Sequence, residues 1–386
     1  MRRIVASLTV LLSLFLATSL VFAGGKKEQQ EQMDDSGQLP EEIVVGWSPP
    51  DVTGVFSTAT DYFERAAEDA RSAGLNVRIV TQSPASHTDF ADQVGIIEDY
   101  IARDVDAIVI SPTEVEVVKP AIRSANEAGI PVIVVNLLDP IDGVDVESYI
   151  GFSNVDAGAI SGYAVVDYFG GPGVLGEGRD VDPDPSTYLD LDWWQDLYSD
   201  VNPDDIDVSA RIAIVEGIAG GFFSRQRLSG FNSVIEDYDG INVVTTLPAD
   251  WNRQKAVTVT QDILQAHDNL DAIWAASNEM GIGATIPIQQ QGLEDEIEVF
   301  TNDGTPESLE MIRNGEIVAE TWHGFPEWGW FGTRFAVRAA LGLEVPDSFD
   351  IRPRIEYQGN ADQFYPDVAL EPHPWDEIIE EYQSAQ

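Results

Sequence analysis

The 386 residues carry 67 Asp and Glu against 21 Lys and Arg, a formal net charge of −46, and no cysteine. That balance argues against nucleic acid or an anionic membrane surface as a partner, and the missing thiols exclude disulfides, thiolate metal sites and a cysteine nucleophile. Yet 44% hydrophobic and 9% aromatic residues are too many for an acidic disordered tail. The length suits two domains, and the acidity suits a saline solvent, whose ions screen self-repulsion.

Residues 1–23 read as a secretory signal. Arg2 and Arg3 open it, positions 4–20 are almost wholly apolar, and Val21, Phe22 and Ala23 offer a small-residue cleavage site. An uncleaved anchor is the competing reading, whereas the absence of cysteine excludes a lipoprotein. Residues 24–41 are polar and read as a flexible leader. The mature protein is therefore expected to be exported and periplasmic.

From Ile43 onward strands alternate with helices. Positions 43–47 read as a buried strand. Tyr62, Phe63, Ala66, Ala67 and Ala70 line one face of a helix ended by Gly74, and 77–80 is the next strand. Phe90, Val94, Ile97 and Ile101 form a helical stripe before a strand at 107–110. A helix at 115–128 ends at Gly129 and leads into a strand at 130–135. The strands are continuous apolar runs, as burial on both faces of a parallel sheet requires. After 148–152 a second series follows, with strands at 212–215, 241–246, 272–276, 297–300 and 317–321. Between the series, 171–209 is a Pro-, Gly- and Asp-rich insertion holding Trp193, Trp194 and Tyr198, longer than an ordinary loop. The fold class is α/β, with two doubly wound lobes.

In such sheets ligands bind beyond the carboxyl ends of the strands. The residues there are 47–56, Ser111, Asn136, 217–225, Trp251, 277–279, Asp303, Trp322 and His323. Rings, amides, one guanidinium and one carboxylate suit a neutral polyhydroxylated ligand: flat rings cover C–H faces and planar polar groups share hydroxyls.

Six stretches carry a likeness: DAIVISP (106–112), GIPVIVVN (129–136), GIAGGFFSRQR (217–227), PADW (248–251), NEMG (278–281) and NDGTP (302–306). In this order and spacing the chain from 43 to 357 resembles the type I periplasmic sugar-binding proteins of the ribose and galactose group. The resemblance implies two lobes joined by a three-stranded hinge, closing on a sugar and docking to an ABC permease. It implies 42–152 plus 324–355 for the first lobe and 153–323 plus 356–386 for the second. It also implies roles for Asn136 and Asp303 on hydroxyls, Arg225 as the second lobe's guanidinium, Trp251 as a stacking ring, and His323 at the hinge. Phe56 is expected to supply the facing ring, with Trp47 and Asp51 competing for that place because the loop 48–56 does not align cleanly. Ser277 stands where relatives often have Asn, and the adjacent Asn278 can serve; Phe222 is a further candidate. Leu137 stands where many relatives carry a base, so the first lobe has fewer hydroxyl partners.

Asp200, Asn202 and Asp204 have some of the spacing of a calcium loop, but Asp205 occupies the turn position that wants glycine and no Glu closes the loop. No metal or other cofactor is assigned. No Gly-x-Ser-x-Gly, His-Glu-x-x-His or phosphate loop occurs, so an enzyme is not expected. His87, His267 and His373 are scattered and receive no role. The expected protein is a monomer that captures a small neutral solute, a monosaccharide or polyol, for an ABC importer. A sensory partner presenting ligand to a membrane receptor is the alternative.

Overall fold

A computed structural model describes residues 38–176, 181–364 and 368–386; the expected signal and most of the leader lie outside them. The first series builds β1 (Ile43–Ser48), α1 (Gly54–Ser72), β2 (Val77–Thr81), α2 (Phe90–Ala102), β3 (Ala107–Ile110), α3 (Val115–Ala128), β4 (Val132–Val135) and β5 (Ser148–Gly151). β3, β4 and β5 are buried at every position. That is the reason their sequences run apolar without alternation.

The second lobe begins with α4 (Asn154–Tyr168) and α5 (Leu191–Tyr198). It continues through β6 (Ala210–Glu216), α6 (Phe222–Ile235), β7 (Ile241–Pro248), α7 (Arg253–Ala266), β8 (Ala272–Ala275), α8 (Asn278–Gln291), β9 (Glu298–Asp303), α9 (Pro306–Asn314) and β10 (Ala319–Trp322). Trp274 lies in its core, stacked on Phe231 at 4.1 Å. The chain then returns to the first lobe as α10 (Phe325–Ala340) and β11 (Ser348–Asp350), and re-enters the second as β12 (Arg354–Tyr357). The sheets run β11-β5-β4-β3-β1-β2 and β12-β10-β9-β8-β6-β7. Every pairing is parallel except β10 with β12. Three crossovers thus join the lobes, after β5, after β10 and between β11 and β12.

The last helix departs from the sequence expectation. Positions 356–386 were assigned together to the second lobe, but α11 (Trp375–Ala385) packs on the first. Trp375 and Ile378 are buried in that lobe's core, and the Trp375 indole donates to Asp69 Oδ2 at 2.8 Å. Arg338 of α10 forks to Glu381 at 2.8 and 3.1 Å. Ring burial decides the matter, since few other terms match an enclosed indole.

The insertion is built onto the second lobe and the third crossover. Buried Asp167 accepts N–H bonds from Gly173, Val174 and Leu175, with the Tyr198 hydroxyl at 3.2 Å. Trp194 is fully enclosed. Tyr188 donates to the Ile351 carbonyl at 2.8 Å, Ile355 N–H donates to the Leu189 carbonyl at 3.0 Å, and Arg352 pairs with Asp190. The calcium-loop candidate does not assemble: 203–205 is a 3₁₀ turn, and Asn202 spends its amide on Asp205 at 3.0 Å. Among the described residues no group of three or more His, Cys, Asp or Glu could hold a metal ion. None of their helices is long and apolar enough to cross a membrane.

Candidate functional site

The carboxyl ends of both sheets face a shared cleft. The first lobe lines it with Pro50, Asp51, Thr53, Val55 and Phe56 around the start of α1, with His87 from the β2–α2 loop, and with Pro112, Thr113, Asn136 and Phe325. The second lobe contributes Phe223 and Arg227 of α6, Trp251, Ser277, Glu279 and Asp303. The space between them measures about 50 Å³, taken over the centres of water-sized spheres. One water needs about 10–15 Å³ on that measure, so the cleft suits a compact solute rather than an oligomer.

The second lobe's side is a charge network. Arg227 is 4% exposed and extends from α6 in the buried stripe of Phe223, Arg227, Gly230, Phe231 and Val234. Its Nε donates to Asn154 Oδ1 at 3.0 Å, and its Nη1 donates to the Ala276 carbonyl at 2.6 Å and Asp303 Oδ1 at 3.0 Å. Nη2 makes no bond within the protein and is not sealed from solvent, so its two N–H groups remain for a ligand. Burial lowers the Arg227 pKa while Asp303 raises it; a guanidinium keeps its charge in either case. Asp303 also accepts the Asn278 N–H at 3.2 Å. Its φ of 105° aims the carboxylate off the end of β9. Behind it, His323 Nδ1 lies 2.9 Å from Asp303 Oδ1, outside hydrogen-bond angles, and the ring stacks on Phe152 at 4.1 Å. Burial and the charge of Arg227 push His323 down to about 4, so it is neutral near pH 7.

Trp251 takes a left-handed turn, φ 61°, after β7 and lays its ring on Gly217, where any Cβ would stand 2.0 Å from the indole. The same ring lies 5.2 Å from the Arg227 guanidinium carbon. Beneath the network, Glu320 accepts the Gly304 N–H at 2.6 Å and pairs in register with Glu356 across β10 and β12. Burial holds both carboxyls well above the ordinary range, and for Glu356 the neighbouring Glu320 adds to the rise.

The first lobe's side is rings and loop ends. Phe56 meets Phe325 edge-on at 5.6 Å. Asn136, at φ 68°, is 7% exposed, and its Oδ1 has no hydrogen-bond partner. Asp51 accepts from Thr53 N–H at 3.0 Å and pairs with His87 Nε2 at 2.9 Å. The lobes are closed: the Phe222 N–H donates to Glu114 Oε2 at 3.1 Å, and Phe223 is buried within a first-lobe core cluster.

Of the residues singled out from sequence, Phe56, Asn136, Trp251, Ser277, Asp303 and Asp51 line the cavity. Arg225 does not. It is exposed, because two residues along a helix turn a side chain to the other face, and Arg227 takes the buried place. Phe222 likewise yields to Phe223, packing outside the cavity. Trp47 is fully buried in the first core, 4.5 Å from Phe63, with its indole donating to Thr60. Asn278 caps the β9 turn through Thr305 at 2.8 Å, and His323 stands behind Asp303; neither lines the cavity. Sequence reasoning missed Arg227, His87, Thr113 and Phe325. The helical stripe in FFSRQRLSGF could have found the first, and the end of β2, treated like other strand ends, the second.

With this geometry established, the family is plain. Residues 45–344 match the periplasmic binding protein domain, and the chain belongs to that family, whose members bind and do not catalyse. Its curated relatives include the ribose import binding protein of Bacillus subtilis, 26% identical over 81% of this chain and 85% of that one. Another is the D-allose-binding periplasmic protein of Escherichia coli, 26% identical over 72% and 79%. Among solved structures, a solute-binding protein of Actinobacillus succinogenes with bound D-allose superposes with a TM-score of 0.68 at 21% identity, covering 83% of this chain and 100% of that one. One from Bacillus halodurans with bound myo-inositol gives 0.66 at 22%, covering 86% and 98%.

Proposed function

We propose that the protein captures a monosaccharide or related polyol between its lobes and delivers it to an ABC importer. The observation that carries this reading is the pairing of unspent polar atoms across the cleft: the two Nη2 N–H groups of Arg227 on one side and the orphan Asn136 Oδ1 on the other. Phe56, Phe325 and Trp251 stand among them as apolar faces. A hydroxyl donates and accepts, so a polyol satisfies both kinds of group where a purely anionic or cationic solute satisfies one. The relatives' roles, ribose import binding in one and D-allose binding in the periplasm in the other, support the same class. Ligand touching both lobes favours closure by mass action on the closed state. Tryptophan fluorescence and thermal shift against D-ribose, D-allose and myo-inositol in saline buffer test the reading. Micromolar affinity, about −8 kcal/mol, is expected; unchanged emission and melting with pentoses, hexoses and cyclitols alike would sink it.

A further inference from the structure

The second lobe's side of the cleft keeps the Nη2 end of Arg227 for a ligand, and the first lobe holds a polar pair of its own with an unspent end. His87 Nε2 lies 2.9 Å from Asp51 Oδ2, their side chains 17% and 23% exposed. Both residues line the cavity. Asp51 Oδ1 is occupied by the Thr53 N–H at 3.0 Å, so the carboxylate is anchored to the loop that opens α1. Burial pushes the Asp51 carboxyl up, yet bonds from His87 and Thr53 outweigh it and hold the carboxyl below its ordinary range. An ionised carboxylate accepts only, so Nε2 carries the proton that faces it, and in the neutral imidazole the other nitrogen, Nδ1, is an acceptor. Nδ1 makes no bond within the protein. The imidazole is further held 5.7 Å from the Phe56 ring, against the same cavity wall.

We propose that His87, oriented by Asp51, is a specificity-determining residue of the first lobe, its Nδ1 accepting a hydrogen bond from a ligand hydroxyl. The inference rests on the polyol reading and assigns that lobe a ligand contact beyond Asn136. Together Nδ1 and Asn136 Oδ1 give this wall two acceptors, so it selects ligands that present donors toward α1 and β4. A deoxy analogue lacking the facing hydroxyl leaves Nδ1 unpaired and loses affinity.

The test is calorimetry of wild type, His87→Phe, His87→Gln and Asp51→Asn with D-ribose, D-allose and myo-inositol, each variant's melting measured alongside. His87→Phe keeps a ring without an acceptor and should weaken binding about tenfold. His87→Gln, whose amide donates to Asp51 and whose carbonyl accepts, should stay within about threefold of wild type. Asp51→Asn frees the tautomer and should fall between them. Unaltered affinity in His87→Phe overturns the proposal, as does an equal loss in Phe and Gln variants, which would mean packing alone. If wild type binds none of the three probes, the polyol reading fails and this assignment with it. Binding by wild type with an indifferent position 87 removes only the assignment.

Discussion

The two lobes share a topology and contribute unlike chemistry to the cleft. The second presents Arg227 and Asp303, each about 4% exposed and each fixed by neighbours, with neutral His323 behind them. The first presents Phe56, Phe325, two prolines and short polar ends, with the Asp51 carboxylate and its His87 partner as the exception. The difference teaches that one wall is a network of fixed charges before ligand arrives, whereas the other offers mostly apolar faces. Preorganised dipoles lose little on binding, so affinity should depend most on the second lobe.

Breaking that wall should have the largest effect. Asp303→Asn leaves Arg227 buried without its counter-charge, and a broken buried pair costs about 3–5 kcal/mol. Melting should drop sharply, and calorimetry should find sugar binding lost. A variant that melts like wild type would show that the network does not organise the lobe.

Next in size is a pH effect on the same wall. His323 has a folded pKa of about 4 against 6.5 unfolded, so its contribution is intact above 6.5 and is lost as pH falls toward 4. At roughly 1.4 kcal/mol per pKa unit the loss approaches about 3 kcal/mol. His373, buried against Trp330 and pushed down to about 3, adds loss in the same direction. Glu320 and Glu356 act oppositely: with folded pKa values raised, their contribution is present below about 4.5 and lost as pH rises through the raised values. Denaturant melts from pH 4 to 9 should therefore fall at both ends, and Glu356→Gln should flatten the alkaline limb alone.

Trp251→Ala should weaken sugar binding by about 2 kcal/mol, through lost contact area and a loosened Arg227. Comparable affinity with reduced melting would instead make Trp251 a packing residue. Glu114→Ala, read by ligand titration and small-angle scattering, should cost about 1 kcal/mol or less of closure through the lost bond to α6. Arg225→Ala, on the exposed face of α6, should change neither affinity nor melting beyond about 0.5 kcal/mol.

The legible parts of the sequence were those with long periodic signals. Apolar runs such as AIVI and VIVV announce buried parallel strands, and Gly129 announces a helix end that the structure bears out. β11, three residues with no apolar run, carries no such signal; its position follows from pairing with β5. In the cleft, strand-end logic places Asn136, Trp251 and Asp303, because topology alone brings those positions together. It fails on Arg225 because motif order was read without the helical phase that buries Arg227. It fails on Trp47 because a strand's last ring points to one face or the other by register, which the loop after it does not reveal. A lone histidine has no spacing to mark it; His87 is placed by the loop after β2, and its pairing with Asp51, 36 positions away, gives it a role.

The return of α11 to the first lobe has a mechanical consequence. Leu39, near the start of the described chain, packs against the same core as Trp375, near its end. Both ends of the described chain therefore ride on one rigid half, which becomes the stationary frame. The other half, carrying Arg227 and Asp303, is the moving jaw and bears neither handle. A fluorophore or surface linkage at residue 386 would leave that jaw's swing unhindered, and paired with a label on α7 would report the swing as a distance.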